Sequence, residues 1–88
     1  MNRVLIIEDN LPNRVLERDL LIQAGFEVDL AERLKAGIAA ALRNRPDLIV
    51  LDVQLPDARG ADGIDALRAE PSLLGVPIVV VKIGRAHV

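Results

Sequence analysis

The chain has no cysteine, no tryptophan and no tyrosine, and Phe26 is its one aromatic residue. Without cysteine there is neither a disulfide framework nor a thiolate metal site, which fits a reducing compartment. Net charge is −2 with both signs interspersed. A chain without a basic patch or stacking aromatics lacks what nucleic-acid binding uses. No apolar run approaches the roughly 18 residues of a membrane span. Strand-like sequence begins directly after Met1-Asn2-Arg3, leaving no room for a signal peptide. The expectation is one small cytoplasmic domain. At 88 residues and 51% apolar content, its core is near the lower size limit for independent folding.

What is present is a regular alternation. Val4-Leu5-Ile6-Ile7 is an apolar run of strand length, read as a strand buried on both faces. Asp9-Asn10-Leu11-Pro12 then offers N-cap side chains and a proline suited to a first helical turn. The helix that follows carries an apolar stripe through Leu16, Leu20 and Ala24, and Gly25 stops it. Phe26 to Leu30 alternates like a half-exposed strand near a sheet edge. A second helix is expected from Leu34 to Arg43, with Leu34, Ile38, Ala41 and Leu42 inward. Leu48 to Leu51 is a third strand, and a loop runs from Asp52 to Gly60. Ile64, Ala66 and Leu67 mark a short helix ended by Pro71, and Val76 to Val81 is a fourth strand. The order βαβαβαβ implies a doubly wound parallel sheet with right-handed crossovers and helices on both faces.

In such sheets, ligands bind beyond the carboxyl ends of the strands, where strand order reverses. The first strand ends in Glu8-Asp9 and the third in Asp52. If these strands are neighbours, the three acids converge, and three carboxylates in one cleft need a counter-charge. A hard cation with oxygen ligands supplies it, and Mg²⁺ suits a site that shares coordination with a phosphoryl group. A carboxylate in that setting can attack phosphorus in line.

Three stretches resemble one known family. Val4-Leu5-Ile6-Ile7-Glu8-Asp9-Asn10, then Pro46-Asp47-Leu48-Ile49-Val50-Leu51-Asp52-Val53-Gln54-Leu55-Pro56 with Gly60, then Val76-Pro77-Ile78-Val79-Val80, look like the receiver domain of two-component response regulators. The resemblance covers residues 3 to about 81. It implies an incomplete flavodoxin-like fold, four strands and three helices of a five-strand receiver. It also implies that Asp52 is the phosphoacceptor, taking its phosphoryl group from a sensor histidine kinase or a histidine phosphotransfer protein. Asp9 would bind Mg²⁺ directly, Glu8 mainly through water, and the Gln54 backbone carbonyl would add an oxygen. Asn10 and Asn13 fit the family pattern as cap and loop residues, and Gly60 fits its loop glycine. Asp57 and Asp62 read as a solvated loop acid and a helix-start acid. The resemblance implies signalling with only self-phosphorylation and self-dephosphorylation, not turnover of an external substrate. The output domain or partner is left open.

The resemblance breaks after Val81. A receiver would carry a Thr or Ser there and a Lys after a fifth strand; here Lys82 stands at the hydroxyl position. Lys82-Ile83-Gly84-Arg85-Ala86-His87-Val88 is spelled by AAG ATC GGA AGA GCA CAC GTC, a common short-read sequencing adapter preceded by one A. Residues 1–81 are therefore expected to form the partial receiver and 82–88 a non-native tail, in which the single histidine carries no functional information. With its fourth strand uncovered, the polypeptide is expected to be poorly soluble or only partly ordered. The rival reading is a receiver-like interaction module that works without phosphorylation. A phosphohydrolase would place a second acid where Gln54 stands, and a flavin module would need a phosphate loop and aromatics.

Overall fold

The computed structural model describes residues 2–81. The expectation of a non-native tail at 82–88 lies outside them. Four strands form one parallel sheet: β1 (Arg3–Ile7), β2 (Glu27–Ala31), β3 (Leu48–Asp52) and, after a small ribbon named below, β6 (Ile78–Val81). Their spatial order is β2-β1-β3-β6. The connecting helices are α1 (Leu11–Gln23), α2 (Leu34–Arg43) and α3 (Asp62–Arg68), with a 3₁₀ turn at Pro71–Leu73. This is the expected flavodoxin-like arrangement, with order reversing between β1 and β3. The register pairs Ile7 with Leu51 and Asp52 with Val81, so the carboxyl ends of β1 and β3 finish side by side.

The better-filled side of the sheet lies under α2 and α3. Leu5, Ile7, Ile49 and Leu51 are fully buried there with Leu34, Ala40, Ala41 and Leu67. Two glycines let the helices come close. A Cβ on Gly37 would stand 2.5 Å from Ile7 Cδ1, and one on Gly63 would stand 3.2 Å from Leu51. Ile38, Ile64 and Ala66 pack against this core as expected. Leu42 is a correction: it is 49% exposed rather than inward. The close approach at Gly37 fixes the rotation of α2, and that phase turns Leu42 to solvent.

The opposite side is thinner. Val4 and Ile6 are buried, but Leu48 and Val50 of the neighbouring strand are only half-buried. Here the expected α1 stripe is overturned, since Leu16 and Leu20 are 58% and 59% exposed and Ala24 is exposed too. The partly buried positions are Asn13, Arg14, Val15, Glu17, Arg18 and Leu21, and of these Arg14, Glu17, Arg18 and Leu21 make a stripe of helical spacing that looks onto β1 and β2. The apolar stripe points where no other described element lies, so its composition misled the phase assignment.

β2 is an edge strand, as its alternation implied, although it starts at Glu27 rather than Phe26, and Leu30 stays exposed. Arg3 secures this end of the sheet. Its guanidinium pairs with Glu27 at 2.7 Å and Asp29 at 2.9 Å, and its amide donates to Asp47 at 2.7 Å. β6 is the other edge among the described residues, and Val79 and Val80 are 49% and 41% exposed. The expected loop 52–60 contains a two-stranded antiparallel ribbon, β4 (Gln54–Leu55) and β5 (Ala58–Arg59). Burial of Leu55 and Ala58 drives it, with Pro56-Asp57 as its turn. Short ribbons escape sequence patterning because two residues carry no period.

Candidate functional site

Glu8, Asp9 and Asp52 meet at the carboxyl end of the sheet, each offering an oxygen within 4.8 Å of the others. Strand pairing explains the convergence: Glu8 and Asp9 follow directly on β1, and Asp52 is the last residue of the adjacent β3. Glu8 and Asp52 are buried, at 2% and 6% exposure, and Asp9 is half-buried. Asn10 caps α1, its Oδ1 accepting the Asn13 amide at 3.0 Å. That spares Asp9 from capping and leaves its carboxylate for the cleft.

Glu8 and Asp52 are oriented by backbone groups. The Asn10 amide donates to Glu8 Oε2 at 3.0 Å, and the Gln54 amide donates to Asp52 Oδ1 at 3.0 Å. Behind them, the Arg14 guanidinium donates to the Glu8 carbonyl at 2.9 Å. Burial pushes the Glu8 carboxyl up to about 7. The Asn10 amide pulls the other way, while the hydrogen bond and charge of Asp52 and the charge of Glu17 add to the rise. Two carboxyls buried this close disfavour full ionisation of both.

The sequence reading missed Glu17. Its Oε1 is buried without a hydrogen-bond partner among the described residues. Burial raises its pKa above the ordinary glutamate value, and the charge of Asp52 raises it further. The residue lies on the sheet-facing stripe of α1, so a correct helical phase would have exposed it. Asp57 was also misjudged. It is not a simple solvated acid: its carboxylate accepts the amides of Leu34 at 2.8 Å and Lys35 at 3.0 Å. One signal was available, since Arg33 precedes α2 where a capping side chain belongs, and it makes no cap bond. Asp62 falls in the first turn of α3 as expected.

A cavity of about 580 Å³ opens beside the acids, lined among others by Asp9, Val53, Gln54, Leu55, Arg59 and Gly60. Gly60 adopts φ of 57°, left-handed backbone that suits a glycine, and its amide donates to the Val53 carbonyl at 2.9 Å. The Gln54 backbone is therefore at the cavity wall. Among the described residues, no helix is long and apolar enough to cross a membrane.

Fold and site together define a doubly wound α/β domain with a carboxylate cleft at its switch point. The family model of the response regulator receiver domain matches residues 4–86. The chain is 35% identical over 78 residues to the polar-differentiation response regulator DivK of Brucella anthropi, covering 89% of this chain and 63% of that protein. It is 40% identical over 82 residues to the KDP operon transcriptional regulatory protein KdpE of Escherichia coli, covering 93% of this chain and 35% of that protein. Among solved structures, it resembles the chemotaxis protein CheY4 of Vibrio cholerae with a TM-score of 0.85 and 30% identity, over 91% of this chain and 67% of that one. It also resembles the receiver domain of the sensor histidine kinase PA1611 of Pseudomonas aeruginosa, which was crystallised with magnesium coordinated in its active-site cleft. There the TM-score is 0.83 and identity 29%, over 90% of this chain and 65% of that one. The chain belongs to the response regulator receiver family and spans less than two thirds of the length of its DivK relative.

Proposed function

We propose that this domain is the phosphoacceptor of a two-component phosphorelay, with Asp52 taking a phosphoryl group from a phosphohistidine. The observation that carries this reading is the convergence of Glu8, Asp9 and buried Asp52, each offering an oxygen within 4.8 Å of the others at the carboxyl ends of β1 and β3. An Asp52 oxygen forms the new bond to phosphorus as the P–N bond breaks, and the imidazole leaves. The Gln54 amide, donating to Asp52 Oδ1 at 3.0 Å, fixes the orientation of the Asp52 carboxylate. Phosphoryl transfer of this kind is mostly positioning and charge neutralisation.

The donor set fits a divalent cation. Three hard carboxylate oxygens at close quarters, one of them on a carboxyl that burial pushes up to about 7, suit Mg²⁺. Asp9, Glu8 and Asp52 would hold it, with the Gln54 carbonyl adding a backbone oxygen. When bound, Mg²⁺ supplies the positive charge that lets the acids ionise together and neutralises phosphoryl oxygens. The domain then acts as a cytoplasmic signalling element whose partners are a sensor histidine kinase or histidine phosphotransfer protein and a downstream output. Its chemistry is confined to its own acyl phosphate, so it is not an enzyme with an external substrate. Acetyl phosphate labelling tests the proposal: wild type labels in Mg²⁺, EDTA abolishes labelling, and Asp52→Asn does not label. Equal labelling of Asp52→Asn would overturn it.

A further inference from the structure

Helix α2 begins without a cap of its own. Arg33 holds the N-cap position in extended backbone, φ −140° and ψ 161°, and offers no side-chain bond to the first turn. An uncapped helix leaves its leading amides without partners. Here the partner comes from far along the chain. Asp57 presents one oxygen to Leu34 N–H at 2.8 Å and the other to Lys35 N–H at 3.0 Å, across 23 and 22 residues. Although burial opposes it, the amides of Lys35, Leu34 and Asp57 itself, with the charge of Arg33, hold this carboxyl below its ordinary value.

The other end of the same loop is tied to the acceptor. Asp57 sits in the turn of the β4–β5 ribbon, where Leu55 pairs with Ala58 and Gln54 with Arg59. At the root of that ribbon the Gln54 amide bonds Asp52 Oδ1, and the Gly60 amide bonds the Val53 carbonyl. The segment that walls the cavity is thus anchored to Asp52 at its root and to α2 at its tip. Between the two anchors lies the Gln54 backbone.

We infer that Asp57 is a positioning residue for the acceptor site: by gripping the N-terminus of α2 it holds the 53–60 ribbon in place against Asp52. Its relevance to Mg²⁺ rests on the metal reading above, but the positioning itself is measurable without metal. The discriminating pair is Asp57→Ala alone and Asp57→Ala with Arg33→Ser, which returns a local cap to α2. Amide hydrogen exchange of the metal-free chain is the first readout. In Asp57→Ala, exchange at Leu34, Lys35, Gln54 and Gly60 should accelerate roughly fivefold or more, the factor expected for loss of a helix cap. In the double variant, Lys35 should recover while Gln54 and Gly60 do not. Asp57→Asn, which keeps one acceptor oxygen for the two amides, should fall between wild type and Asp57→Ala. Recovery of Gln54 and Gly60 in the double variant, or no change there in Asp57→Ala, would overturn the inference. If Asp57→Ala alone does not fold, the double variant carries the comparison. The second readout is Mg²⁺ titration by calorimetry, where the double variant should bind several-fold more weakly than wild type. Equal affinity would count against the inference. A wild type that binds no Mg²⁺ overturns the metal reading instead, and the exchange result still decides the role of Asp57.

Discussion

Glu8 shows how one buried acid sets the behaviour of the cleft. Folded, it keeps its proton up to about 7, whereas the ordinary value is 4.5. The unfolded state therefore releases that proton first as pH rises. Stability linked to Glu8 is present below about 4.5 and is lost through the window up to about 7, a loss of up to about 3 kcal/mol. Glu8→Gln should accordingly melt a few degrees above wild type at pH 7.5 and match it near pH 4.5, as followed by circular dichroism. A constant offset across that range would contradict the shift. Mg²⁺ should narrow the gap at high pH, because at ten times its dissociation constant a ligand adds about 1.4 kcal/mol to the form that binds it. The acids themselves were legible in the sequence because each closes an apolar strand, a signal that survives without coordinates. Glu17 and Asp57 were not. The role of Glu17 depends on helix phase, and that of Asp57 on a contact across 22 residues and more.

At the level of elements, sequence patterning worked where period and burial agreed. The strands were legible because Val4–Ile7 and Leu48–Leu51 are apolar throughout, which is what a two-sided central strand requires. α1 defeated the same reasoning, since the residues that face the sheet include Arg14 and Glu17, while Leu16 and Leu20 face outward. Composition gives a stripe, but only the neighbouring layer says which stripe is covered. α2 is placed by an absence, the missing Cβ at Gly37 against Ile7. Gly37→Ala gains helix propensity but forces Ile7 or the whole helix to give way. Overpacking of this kind costs about 1–3 kcal/mol, and the net should be destabilising. Urea unfolding checks it; a variant as stable as wild type would mean that Ile7 repacks freely. The combination Gly37→Ala with Ile7→Val should recover part of the loss.

Among the described residues, the sheet is unevenly closed. One side of the sheet is sealed by α2 and α3, while α1 and β6 leave Leu16, Leu20, Val79 and Val80 in solvent. An apolar edge strand with open backbone groups invites pairing with another chain. Sedimentation should therefore show self-association that grows with concentration, and Val79→Lys, which puts a charge on that edge, should raise the monomer fraction. Monomer at all concentrations in the unmodified chain would refute this. The register gives that edge a second meaning. Asp52 is laddered to Val81, so the proposed acceptor is one strand in from the rim of the described sheet. Neighbouring strands are about 4.8 Å apart, which puts anything that adds to the rim within about 10 Å of the reacting carboxylate. Labelling of Asp52 and occupancy of the β6 edge are therefore not separate measurements. On the proposed function, the rate at which the aspartate takes up a phosphoryl group also reports who is standing beside it.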